Sequence, residues 1–172
     1  MILSFFLLAA FVTKAQEGIK GQGANNATIK SDYKAENEGW LVNIDEAYKL
    51  SKETGKPIMA NFTGSDWCGW CKKLTASVFS KPEFKKWATA NVILLELDYP
   101  RRTKLPEAIR QQNAALQKAF QVRGYPTVWV FRLDKDAATN QFQIEALGKT
   151  GYAKTAADFT NTVDLLIANG KK

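Results

Sequence analysis

All the cysteine in the chain lies in one hexapeptide, Trp67-Cys68-Gly69-Trp70-Cys71-Lys72, a few residues beyond the apolar run from Pro57 to Phe62. A short apolar run bounded by breakers reads as a buried strand, so the pair sits where a strand hands over to a helix. That placement restricts fold and chemistry together. A helix start offers unsatisfied N–H groups and a positive dipole end, which stabilise a thiolate. Two thiols two residues apart can then exchange electrons with a disulfide, Cys68 attacking and Cys71 resolving the mixed disulfide. Cys68, at the helix start, is expected to be the more exposed. Of the flanking indoles, one of Trp67 and Trp70 is expected to pack and the other to stay near the surface.

Other uses of the pair need residues the chain lacks. Structural zinc takes four ligands, commonly two such pairs or one pair with two histidines, and the chain has two cysteines and no histidine. An iron–sulfur cluster fails on the same count, so no metal or cofactor is expected. A peroxidase or metal carrier is disfavoured by the missing histidine and by a paired rather than lone thiol. An inert disulfide is the stronger rival, although a loop this short gives little entropic stabilisation.

The length of 172 residues, with 45% hydrophobic composition, suits one compact domain with a modest tail. Residues Ile2 to Val12 form a short apolar run followed by Thr13-Lys14-Ala15-Gln16. This reads as a secretory signal over 1–15, cleaved after Ala15, though no Lys or Arg precedes the run. It is also shorter than the ~20 residues that span a bilayer, so no stable membrane insertion is expected after cleavage. Cleavage removes Lys14 and no carboxylate, taking the formal charge from +7 to +6. No phosphate-binding glycine loop or nucleic-acid motif accompanies these cations, so they read as solvated surface and no nucleic-acid partner is expected. Export into an oxidising compartment would permit a disulfide.

Residues 16–38, rich in Gly, Asn, Lys and Ser, read as a flexible lead-in, and the folded domain is expected over 39–170. A helix is expected from an Asn43 cap to Gly55, then the strand to Phe62, the loop Thr63 to Asp66, and the helix of the cysteine pair running through Leu74 toward Val78. Ser80 and Pro82 suit the cap and first turn of a helix ending near Ala90. Val92 to Leu97 reads as a strand. Pro106 to Phe120 reads as a helix with Leu116, Ala119 and Phe120 facing inward. Val128 to Phe131 and Phe142 to Leu147 read as a hairpin, and Thr155 to Ala168 as a final helix with Phe159, Val163, Leu166 and Ile167 on one stripe. The order implies an α/β sandwich.

With Trp67-Cys68-Gly69-Trp70-Cys71-Lys72 on a strand-to-helix turn and Gly124-Tyr125-Pro126-Thr127 ahead of a strand, the chain resembles the thioredoxin-like proteins from about Trp40 to Asn169. Val78-Phe79-Ser80-Lys81-Pro82-Glu83 resembles the secreted bacterial branch, including the periplasmic domain of a membrane electron transporter that reduces disulfides. The resemblance implies a thioredoxin-like three-layer sandwich whose central mixed sheet has four to five strands. It also implies a periplasmic or secreted thiol–disulfide oxidoreductase, with reduction favoured, acting on protein disulfides or dithiols with a redox partner. A monomer is expected. Pro126 is implied to be cis and to lie against the cysteines. Tyr125 would then cover the thiolate and offer its backbone to an extended substrate strand, with Trp67, Gly69 and Trp70 completing the substrate surface.

Two departures from the family stand out. Where thioredoxins usually carry a buried aspartate, the matching position is Asn61, which cannot shuttle protons, and the loop to Cys68 holds an extra residue. Asp66 and Glu96 are the candidate proton-transfer groups, Asp66 having a loop-capping role as its alternative. Residues 99–112 are longer than in a minimal thioredoxin, and serve either as a partner-selecting loop or as a plain helical extension. The competing function is a secreted peptide-binding module of the same fold that keeps its disulfide permanently oxidised.

Overall fold

The computed structural model describes residues 32–170. The signal reading over 1–15 and most of the lead-in therefore lie outside the described residues.

The helix α1 (Ile44–Thr54) starts at Asn43, whose side chain accepts the Asp45 N–H, and stops at Gly55, whose φ of 71° is the left-handed conformation that glycine adopts readily. Strand β1 (Ile58–Thr63) follows, buried along its whole length. Helix α2 (Gly69–Leu74) continues into a π turn over Thr75–Phe79, closed by the Ser80 N–H on the Thr75 carbonyl. Val78 and Phe79, at the end of this turn, are both buried in the core. Helix α3 (Pro82–Asn91) has proline in its first turn, but its cap is Lys81, not Ser80, and makes no side-chain cap bond. The Ser80 hydroxyl donates backward to Ala76 O instead.

Strand β2 (Ile93–Asp98), helix α4 (Glu107–Ala119), strands β3 (Thr127–Lys135) and β4 (Phe142–Thr150) and helix α5 (Ala156–Asn169) complete the chain. The four strands form one mixed sheet in the order β2-β1-β3-β4, parallel between β2 and β1 and antiparallel elsewhere. The β3–β4 hairpin runs further than its apolar stretches suggest, because Arg132, Asp134 and Lys135 lie on a partly exposed ladder that tolerates polar side chains. Asp136 closes its turn by accepting from the backbone of Ala138 and Thr139.

Alternation along β1 separates two cores. Met59 packs with Leu74, Val78 and Phe79 of the α2 region, Phe84 of α3, and Phe159 and Val163 of α5. Ile58, Ala60 and Phe62 point the other way, toward Ile44 and Ala47 of α1, Leu95 and Leu97 of β2, and Phe120 at the end of α4. Burying each large side chain contributes about 1.5–3 kcal/mol, and this layering makes the three-layer sandwich. The inner face of α4 differs from expectation. Leu116 and Ala119 are only partly buried, while Gln112 and Asn113 go inside with Ile109 and Phe120. Gln112 serves the backbone of Ile44 and Val42, and Asn113 donates to Asp98 O, so these amides satisfy backbone groups that packing has cut off from water.

Candidate active site

Cys68 and Cys71 are joined in a disulfide with their Cα atoms 5.3 Å apart. After β1 the chain turns tightly, the N–H groups of Trp67 and Cys68 both donating to Gly64 O. Cys68 has extended backbone and caps α2, its Sγ accepting the Cys71 N–H at 3.1 Å. A thiolate released at Cys68 by reduction thus inherits a donor aimed at it and a helix start beneath it. Cys68 is expected to be the more exposed of the two, but in the disulfide form both are buried, at 6% for Cys68 and 4% for Cys71. Gly69 and Trp70, between them, are exposed, Trp70 at 56%.

Trp67 is the indole that packs. Its Nε1 donates to Tyr99 O at 2.9 Å, its edge meets Tyr125 with ring centroids 5.7 Å apart, and the Arg101 guanidinium lies 3.8 Å from its ring centroid. A Cβ on Gly64 would come within 2.5 Å of this ring, so the turn needs glycine for as long as the indole keeps its place. The Tyr125–Pro126 peptide is cis. The Tyr125 hydroxyl accepts from Gln117 Nε2 at 2.6 Å, and its ring stands 5.3 Å from Tyr99, which stacks on Phe62. Burial pushes the Tyr125 and Tyr99 phenols up, so both stay neutral, and the Tyr99 hydroxyl donates to Asn113 O. Trp70 meets Tyr152 of the β4–α5 loop edge-on at 4.9 Å, under Lys73. Gly151, next to Tyr152, lies against Pro126 O. Loops after β1, β2, α4 and β4 therefore converge on one end of the sheet.

Asp66 is committed to the loop after β2. Its carboxylate accepts from the backbone N–H groups of Arg101, Arg102 and Thr103, and these bonds, that of Arg101 foremost, hold its pKa below the usual range. A carboxylate held ionised in this way makes a poor proton acceptor, so the geometry matches the loop-capping role.

Glu96 is buried, at 2% exposure, and opposes Asn61 across the β1–β2 pair. The sheet alternation puts both on the face covered by α2. Glu96 accepts from the backbone of Glu36 and Asn37 and from the Asn37 side chain. Burial pushes its carboxyl up, against the lowering effect of those donors. These contacts also show the end of the lead-in, 36–37, docked on the edge strand. Asn61 Oδ1 is buried and accepts no hydrogen bond from the protein.

Sequence reasoning missed Tyr99, Gly64 and Tyr152. Only Gly64, a glycine closing a buried strand, carried a local signal. Among the described residues, no group of three or more Asp, Glu, Cys or His is placed to hold a metal ion, and no helix is long and apolar enough to cross a membrane.

Comparison with known proteins agrees with this geometry. A family model described as a thioredoxin-like domain matches residues 44–162. The disulfide bond reductase DsbH of Chlamydia pneumoniae is 41% identical over 81 residues, which are 47% of this chain and 49% of that protein. The thiol:disulfide interchange protein DsbD of Klebsiella pneumoniae is 30% identical over 94 residues, 55% of this chain and 14% of that protein. The chain thus spans about half the length of the first relative and a small part of the second. The solved structure of a DsbH oxidoreductase superposes with a TM-score of 0.65 at 28% identity, covering 86% of this chain and 96% of that one. A thioredoxin from Thermus thermophilus shares the fold, with a TM-score of 0.54 at 19% identity over 76% of this chain and 88% of that one. On the match to residues 44–162 and the architecture around the Cys68–Cys71 pair, the chain belongs to the thioredoxin-like family.

Proposed function

We propose that this chain is an exported thiol–disulfide oxidoreductase that reduces disulfides of protein substrates. One observation carries the reading: Cys68 caps α2 with its sulfur on the Cys71 N–H, so the position that must hold a thiolate already has its donor. In the reduced chain the Cys68 thiolate attacks one sulfur of the substrate disulfide. The Cys68–substrate bond forms, the substrate S–S bond breaks, and one substrate thiolate leaves. Cys71 then gives up its proton and attacks Cys68 Sγ, which closes the disulfide seen here and expels the second substrate thiolate. Two electrons pass to the substrate, the thiolates take protons from water, and a dithiol partner resets the pair. The reductase direction is supported by the similarity to the disulfide bond reductase DsbH of Chlamydia pneumoniae. Export is supported by the apolar run Ile2 to Val12 and the small residues before Gln16.

Insulin reduction with dithiothreitol as donor tests the activity. The chain should accelerate B-chain precipitation well beyond dithiothreitol alone, and Cys68→Ser should not; equal rates for both proteins would refute the reading. Expression of the full chain in a Gram-negative bacterium tests export, the expected product being a periplasmic protein beginning at Gln16. Retention in the cytoplasm with residues 1–15 intact would refute that part.

A further inference from the structure

The segments that converge on the disulfide, residues 64–73, 99–105, 121–127 and 151–155, are charged in one sense. Lys72 and Lys73 lie on α2, and Arg101, Arg102 and Lys104 on the loop after β2. Arg123 precedes the cis peptide and Lys154 follows Tyr152. All seven are exposed, and none makes an ion pair with a carboxylate among the described residues. The one carboxylate in these segments, Asp66, is already occupied by three backbone N–H groups. Asp98, at the same end of the sheet, is buried and accepts from the Ser65 N–H and hydroxyl. The whole chain has 24 Lys and Arg and 17 Asp and Glu; setting aside those seven cations and Asp66 leaves 17 against 16. Among the described residues, those outside these segments carry more carboxylates than cations, so the positive excess of the described chain surrounds the disulfide.

The same surface carries unusual apolar exposure. Among the described residues four large hydrophobic side chains are exposed, and two of them, Trp70 and Tyr152 at 56% and 41%, touch each other beside Cys68. Lys73 and Arg101 lie over the faces of Trp70 and Trp67, so cation and aromatic surface alternate across the site.

We infer that this surface selects partner proteins whose reactive cysteine lies in an extended acidic segment, with an apolar side chain against Trp70 and Tyr152 and Asp or Glu residues within a few positions of the sulfur. The inference rests on the oxidoreductase reading for which sulfur reacts, and goes beyond it in naming the client. A one-signed rim around a reactive centre raises the encounter rate with oppositely charged partners and disfavours basic ones. Both effects fade as salt screens the rim.

The test uses the reduced full chain and three peptides of equal length, each closed by one disulfide and sharing one central leucine, with Glu, Gln or Lys at the flanking positions. Bis(2-hydroxyethyl) disulfide, small and neutral, serves as the reference substrate. The expected order of kcat/KM is Glu, Gln, Lys, with a Glu-to-Lys ratio of about tenfold or more at low salt, falling below about threefold near 0.5 M salt. Arg102→Gln/Lys104→Gln/Lys154→Gln should lower the low-salt ratio at least about threefold. Equal rates on the three peptides, or a preference that salt leaves unchanged, would overturn the inference while the reference substrate still turned over. Failure on the reference substrate and all peptides would overturn the oxidoreductase reading and this inference with it. A short oligothymidylate that blocks the site more tightly than the Glu peptide would assign the rim to nucleic acid and equally overturn it.

Discussion

The indole of Trp67 stands edge-on to the ring of Tyr125, their planes at 89° and centroids 5.7 Å apart. One ring immediately precedes Cys68 and the other immediately precedes Pro126, so this contact, with the Trp67 Nε1 bond to Tyr99 O, ties the redox turn to the cis-peptide loop. Gly64 is the space that allows it. Gly64→Ala should force the indole off its partners, lowering stability by about 1–3 kcal/mol as overpacking does and reducing kcat/KM on insulin. Denaturant unfolding and the insulin assay check this; a variant with unchanged midpoint and rate would show that the ring has room to give.

The roles of the two sulfurs separate cleanly by substitution. Cys71→Ser should accumulate a mixed disulfide through Cys68, visible on a non-reducing gel and by mass, because nothing remains to resolve it. Cys68→Ser should form none. Trapping through Cys71 instead would reverse the assignment.

Glu96 should leave a signature in the pH dependence of stability. Burial raises its folded pKa above the unfolded value, so the folded state holds the proton more tightly than the unfolded one. Its contribution is therefore full below the unfolded pKa, and is lost as pH rises through the folded pKa. Comparing oxidised wild type with Glu96→Gln by urea unfolding at several pH values isolates this group. Wild type should lose ground to the variant as pH climbs from about 4.5. A difference independent of pH would mean that Glu96 ionises normally.

Asn61 gives a converse test. Its Oδ1 is buried without a protein donor, next to Glu96 across the strand pair. Asn61→Asp places a carboxyl there that burial and Glu96 push upward, so it destabilises by about 1–3 kcal/mol at pH 8 and by less at pH 5, where it is protonated. Unfolding curves at the two pH values decide it; equal losses would place the site in contact with water.

Much of this fold could be read locally. Asn43 and Gly55 announce the ends of α1, Pro82 the first turn of α3, and the run to Phe62 a strand buried on both faces, since each signal acts within a few residues. The cysteine pair and Tyr125-Pro126 were legible for the same reason. What stayed hidden depends on distant partners. Gln112 and Asn113 go inside α4 because the backbone at Val42, Ile44 and Asp98 needs them, and no helical periodicity of apolar residues can show that. Glu96 is held by residues about sixty positions earlier, and Trp70 finds Tyr152 only after the sheet has folded. Residues 75–79 form a π turn where the sequence reads as a helix simply running on toward Val78.

The reduction potential of the Cys68–Cys71 pair, measured by equilibration with glutathione or dithiothreitol buffers, tests the central claim most directly. A catalytic pair with a helix-capped attacking sulfur should fall between about −270 and −120 mV. A value below about −300 mV, where structural disulfides lie, would contradict it and leave a binding module with a permanent disulfide.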